Sequence, residues 1–247
     1  MADLETGSVE LCQSDPGYRL PPAQAPTPES EDLQILFSQA GRALIHAAVP
    51  LRAANDLGWA WHHLGAARAG WTIVHRIGGG QMDSELVEVF RLPWEDLEVA
   101  AMSLGFGNTM SAIDLCADAV LLACHQPLHD KGRCYDLGEL RKGRAKLVGP
   151  PGLLAWADQL LAHPDLAGLQ ECRDHMTHRT PRRHVTAIID RRGAVGGRAL
   201  AEISTLHGKD GVRWQGSIGD LIPRAVRFGE QQLELLCRAI LALPAIR

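Results

Sequence analysis

The sequence predicts a mainly α-helical bundle with a small β-hairpin inserted before its last helix. Three observations carry that expectation. Apolar residues recur at steps of three and four near the start, at Leu33, Leu36, Ala40, Leu44, Ala47, Leu51 and Ala54. They do so again at the end, at Ile222, Val226, Gly229, Leu233, Leu236 and Ile240, which is the spacing of one face of a helix. Only Val185–Asp190 and Arg198–Ser204, on either side of a Gly-rich turn, read as a pair of strands.

Taken in order, residues 1–31 mix Pro, Ser, Gly and acids without a period and are expected to form a disordered tail. Residues 32–247 form the helical domain. The first helix is interrupted or kinked at Pro50. The second, about Trp59–Ile77, is rich in alanine and stops at Gly78-Gly79-Gly80. Pro93 suits the start of a third, with Glu95, Asp96 and Glu98 favouring its N-terminus. Gly105-Phe106-Gly107-Asn108 bends this helix ahead of a strongly apolar stretch with Ile113, Cys116, Val120 and Cys124 on one face. Residues 126–138 read as a loop. Shorter helices follow at Leu137–Leu147 and Gly152–Ala162, and Pro164-Asp165 opens the next. Asp220 suits the N-cap of the last.

A chain of 247 residues, 46% hydrophobic, has ample material for a buried core. No uninterrupted apolar run approaches membrane length, because Asp114 and Asp118 break the strongest. The start, Met-Ala-Asp-Leu-Glu, lacks the basic region of a secretion signal, and six cysteines without a C-x-x-C read as reduced thiols, so the expected location is the cytoplasm. The net charge of −4 is uneven: residues 1–32 carry seven acids and one base, and the remainder sums to +2. Between Arg173 and Arg198 seven arginines face two aspartates, a footprint that suits phosphates. A solvated arginine-rich loop would have the same composition.

The most informative stretch is Arg173-Asp174-His175-Met176-Thr177-His178. Helical spacing places Arg173 within about a quarter turn of Leu166, Leu169 and Met176, so a guanidinium falls on an apolar stripe and must be paired or must face a site. The bare spacing of Arg and His recurs at Arg68 to His75 and at Arg179 to His184. The first of those lacks a polar residue after its arginine, and Pro181 breaks the other. The middle copy resembles the motif of the HEPN superfamily, in which Arg, commonly followed by Asn, Asp or His, precedes a His by four to six residues. That resemblance implies a bundle of four or more helices, often dimeric, that in many members cuts RNA without metal or cofactor. The chain is longer than a minimal four-helix module of that family.

In such chemistry His178 serves as acid or base, because an imidazole titrates near neutral pH. Arg173 donates its planar fork to the phosphoryl oxygens, and Asp174 holds Arg173 or orients a histidine. Arg179, Arg182, Arg183 and His184 are expected to contact RNA, with His175 as a helper. Residues five apart on a helix differ by about 140° and about 7.5 Å of rise, so Arg173 and His178 do not converge unaided. Either the helix ends near Thr177 and His178 turns back, or two protomers each contribute a motif. A homodimer is therefore expected, with RNA as partner, and a toxin or defence role would bring an antitoxin or regulatory protein.

Two rival readings stay open. One is a catalytically silent module that binds RNA or protein through the same basic surface. The other is a metal-dependent helical hydrolase using Cys172, His175, His178 and His184, whose spacing is unfamiliar for zinc. Asp114 and Asp118 share a helix face and read as a solvated polar stripe. His62-His63 suggest nothing specific, and the triple glycine lacks the Lys-Ser/Thr of a phosphate loop.

Overall fold

The computed structural model describes residues 28–47, 51–78, 94–124, 136–178, 202–207 and 211–243. It is a mainly α-helical bundle, as the periodicity requires. The helix α1 (Pro28–His46) begins four residues inside the segment assigned to the tail. Pro28 stands at its first position, where a missing N–H costs nothing, and Glu29 and Glu31 fall where the helix dipole favours acids. Residues 1–27 lie outside the described residues.

The long helix α2 (Leu51–Gly78) starts directly after Pro50 and ends in the triple glycine. The break at Pro50 is thus a boundary between two helices, and residues 51–58 belong to the second. Ala53, Leu57, Ala60, Leu64, Ala67 and Val74 are all buried, and the alanines let neighbouring helices approach closely.

The next element, α3 (Trp94–Met102), passes through a π-helical turn (Ser103–Gly107) into α4 (Asn108–Ala123). The predicted bend at Gly105–Asn108 is this turn. A π turn disturbs the regular carbonyl ladder, and two side chains compensate. Asn108 Nδ2 donates to the Leu104 carbonyl at 3.1 Å and Thr109 Oγ1 to the Gly105 carbonyl at 2.6 Å. By length and composition Leu97–Ala123 could cross a membrane, since its few acids do not outweigh its apolar residues. Yet 72% of its most apolar window is buried, so that surface is consumed by helix packing. Helices α2 and α8 cover it, and Ile113, Cys116, Ala117 and Val120 are almost inaccessible.

Asp136 caps α5 (Leu137–Gly143), its Oδ1 accepting from the Glu139 amide at 2.9 Å. A 3-10 turn (Arg144–Lys146) replaces the last turn expected of that helix. In α6 (Pro151–Ala162), Trp156 donates its indole N–H to the Gln232 carbonyl at 3.0 Å, tying α6 to the last helix. The motif helix is α7 (Pro164–His178).

A hairpin precedes the last helix; its first strand overlaps the predicted Arg198–Ser204, but its partner is the segment that follows. It pairs β1 (Glu202–His207) with β2 (Gly211–Ser217) antiparallel, Glu202 opposite Ser217, with an irregularity between Ser204 and Leu206. The stronger turn signal is Gly208-Lys209-Asp210-Gly211, whose Asp-Gly step favours a tight connection. Val185–Asp190 lie outside the described residues. The last helix, α8 (Ile218–Leu241), has the expected face, with Ile222, Val226, Leu233, Leu236 and Ile240 buried. Its N-cap is Ser217 rather than Asp220, which sits one turn in and accepts from the Ser217 hydroxyl at 2.7 Å.

Two glycines mark where elements touch too closely for a side chain. A Cβ on Gly70 would stand 2.6 Å from the Ala101 carbonyl and 2.8 Å from the Gly105 amide. On Gly168 of α7 it would overlap the Trp214 indole. Gly70→Ala and Gly168→Ala are each expected to destabilise the fold by about 3 kcal/mol. Gly65→Ala, with nothing within 4 Å, should be neutral or stabilising by up to about 1 kcal/mol. Urea unfolding of the three variants checks this, and equal midpoints for Gly65→Ala and Gly70→Ala would contradict the packing described.

Candidate functional site

The inner face of α7 is formed by Leu166, Leu169 and Cys172, with Gly168 against Trp214. Trp214 itself is buried, meets the Phe106 ring at 6.3 Å and donates to Asp165 Oδ1 at 3.3 Å. The same carboxylate pairs with Arg224. These contacts fix the first half of the helix and so the line on which its second half projects.

Arg173 stands one turn beyond Leu169, at the rim of the inner face rather than within it. Its side chain is 32% exposed, and the buried place beside it is taken by Cys172. Arg173 Nε lies 3.1 Å from Asp174 Oδ1, a contact of charges and not an aligned hydrogen bond, as the Nε–H finds no acceptor in that direction. The expected partner is thus in place beside the guanidinium. A second carboxylate faces it from α4. Asp114 accepts from the Leu137 amide at 3.2 Å. Burial raises its carboxyl above the usual range, with Asp136 and Asp174 acting the same way, while the Leu137 N–H and the Arg173 charge oppose the shift.

The helix remains regular through His178, one residue beyond the expected end at Thr177. Within one chain the backbone positions of Arg173 and His178 are therefore about 7.5 Å apart along the axis and about 140° apart around it. The side chains of His175, Met176 and His178 lie outside the described residues, as do Arg179, Arg182, Arg183 and His184. Cys172 turns into the core at 3% exposure, and burial pushes its thiol up to about 12. A protonated thiol facing other helices is poorly placed to join the histidines around a metal. Among the described residues no group of three or more His, Cys, Asp or Glu side chains could hold a metal ion. Cys116, Cys124 and Cys237 are likewise buried free thiols.

The reading of Asp114 and Asp118 as a solvated stripe is overturned. Asp118 is 2% exposed and meets Asp56 of α2, itself 6% exposed. The two carboxyl groups are close enough to act on one another, an arrangement that a proton held between them would relieve, and Arg52 Nη2 approaches Asp118 Oδ2 at 3.0 Å. Burial, then the charge and hydrogen bond of Asp118, raise the Asp56 carboxyl from 3.8 to about 7, against the opposing charge of Arg52. The sequence held a signal for this pair: two acids sit inside an otherwise apolar helix, where no solvated face remains. The partners of Asp118, Arg52 and Asp56, lie about sixty residues earlier and are themselves one turn apart. His63 also has a specific role, its Nδ1 meeting Asn108 Oδ1 at 2.8 Å beside the π turn.

Comparison with protein-family models, curated proteins and solved structures found no match to this chain. The likeness to HEPN proteins therefore rests on the motif and on its helical setting.

The shared proton gives stability a definite pH dependence. The folded chain keeps it up to about pH 7, while an unfolded aspartate releases it near 4. The folded state thus binds the extra proton between those values. This pair's contribution to stability falls as pH rises from about 4 to about 7 and is level above, by at most about 1.4 kcal/mol per pH unit. Asp56→Asn supplies an amide donor to Asp118 without a proton. It is expected to remove this slope and to exceed the wild type in urea midpoint at about pH 8. Parallel slopes for both proteins would rule out the shared proton.

Proposed function

We propose that the C-terminal end of α7 is a metal-independent RNA-cleaving site of HEPN type, assembled from two copies of the chain. The observation that supports it most is the position of Arg173. Its guanidinium is held at the rim of the bundle, a third exposed, by a helix anchored firmly at its other end. Asp174 neutralises it at rest and is itself half exposed, so an RNA phosphate can take its place. The regular helix through His178 argues for the two-copy arrangement, since the pair does not converge along one helix. A twofold axis near this end brings each arginine toward the partner's histidine.

The chemistry is transesterification. One His178 takes the proton of a 2′-hydroxyl, whose oxygen attacks the adjacent phosphorus. The P–O5′ bond breaks, and the second His178 protonates the departing oxygen. The products are a 2′,3′-cyclic phosphate and a 5′-hydroxyl. Arg173 stabilises the charge on the pentacoordinate phosphorus. Arg179, Arg182, Arg183 and His184 follow the RNA backbone, and His175 assists. Such an enzyme acts in the cytoplasm as a toxin or defence effector, restrained by an antitoxin or regulatory protein. The carboxyl groups of Asp114 and Asp174 near Arg173 favour a second reading, a silent module that binds RNA or protein without cutting.

Arg173→Ala and His178→Ala are each expected to lower RNA cleavage by at least about a hundredfold with the fold intact, and chelator should have no effect. Co-expressing His178→Ala with wild type in equal amounts should leave about a quarter of the activity, the statistical share of all-wild-type dimers. Cell growth and total RNA integrity read the same outcome in vivo. Half the activity remaining would exclude the two-copy site. Binding of RNA that survives His178→Ala, with no RNA cut by wild type, would establish the silent module instead.

A further inference from the structure

On the wall formed by α2 and α8, three arginines meet carboxylates: Arg68 with Glu230, Arg224 with Asp165 and Arg238 with Glu234. Arg227 differs, having no carboxylate partner among the described residues. Its Nε donates to the Pro223 carbonyl at 3.2 Å, and its guanidinium lies 5.8 Å from the centroid of the Trp71 ring. The nearest acid along its own helix, Glu230, is occupied by Arg68. A guanidinium fixed by a backbone carbonyl and an indole has already lost its rotamer freedom, yet its two terminal amino groups meet no acceptor among the described residues.

Arg227 lines a groove of about 540 Å³ between α2, α7 and α8, a volume within the range of small-molecule sites. Pro223 and Phe228, both buried, supply an apolar floor. At the far end stands Asp220, exposed and held in place by the Ser217 hydroxyl at 2.7 Å. Seven residues of helix set Asp220 and Arg227 about 10 Å apart on one face. The groove therefore offers a cation at one end and an acceptor-only group at the other, with the Pro223 and Phe228 side chains and the mutually neutralising Asp165–Arg224 ion pair between them.

We propose that this groove binds a nucleoside phosphate, with the phosphoryl group on Arg227 and sugar hydroxyls or base N–H groups on Asp220. The site is separate from the end of α7 and does not depend on how Arg173 and His178 act. The ligand is either a free mononucleotide or the phosphorylated terminal nucleotide of an RNA chain.

Isothermal titration of the full chain with uridine 5′-monophosphate tests the assignment. Uridine 5′-monophosphate is expected to bind, with uridine and inorganic phosphate each at least about tenfold weaker. Arg227→Gln should weaken the nucleotide by about tenfold or more, and Arg227→Lys, which keeps the charge but loses the fork, by less. A 5′-phosphorylated oligouridylate that binds equally well, with the same dependence on Arg227, identifies the ligand as an RNA end. Its exclusion identifies a free nucleotide. The proposal is overturned if millimolar uridine 5′-monophosphate gives no binding, if both Arg227 variants bind it as wild type does, or if uridine or inorganic phosphate binds as tightly.

Discussion

The bundle depends on one close approach. Gly70 brings the backbone of α2 against the π turn, near the Ala101 carbonyl and the Gly105 amide. From that turn the chain contacts α2, α3, α4, α7 and α8, so its position sets the relative placement of most of the core. A π turn survives only where its displaced carbonyls find donors. Asn108 and Thr109 supply these, and His63 holds Asn108 from α2. The turn is thus specified by side chains on both sides of the seam, and a small residue at position 70 is a condition of their meeting.

Once α4 is wrapped by its neighbours, every polar group on it must be satisfied within the protein. Its two aspartates meet that demand differently. Asp118 faces α2, where it meets the Arg52 cation and a second buried carboxyl, Asp56, whose proton is thereby held more tightly. Asp114, one turn earlier, faces α5 and α7 and finds an amide N–H and the Arg173 charge. Acids four residues apart on one helix thereby acquire unlike chemistry from what packs against each. The same charge interaction couples Arg173 to α4 through Asp114.

Much of the fold was legible because it rests on local rules. The alternating steps of α8, the break at Pro50, the bend at Gly105–Asn108 and the opening of α7 at Pro164 each follow from residues within a few positions of one another. Features set by distant partners were not. The hairpin begins near one predicted strand but pairs it with the following segment, because Trp214 has a place to bury against Gly168 of α7. That place exists only in three dimensions. Likewise Asp220 suits an N-cap by type, yet the chain turns into the helix at Ser217, where the strand ends. For the motif, the local reading put Arg173 beside Leu166 and Leu169 correctly, but it overlooked Cys172 as the residue that fills the inner position and leaves the arginine at the rim.

Arg173 and Arg227 show why a guanidinium's resting partner matters as much as its exposure. Arg173 lies among carboxylates, so a phosphate reaching it must displace Asp174 and bring further negative charge toward Asp114. In the proposed reaction such an arginine would discriminate against weakly bound ground states and reserve its strongest interaction for the extra charge of a pentacoordinate phosphorus. Arg227 rests on an indole and a carbonyl rather than a carboxylate, so a ground-state phosphate has no bound acid to displace from it. On the proposed readings the two sites divide along a physical line, with the surroundings of Arg173 suiting transition-state stabilisation and those of Arg227 retention of a stable ligand.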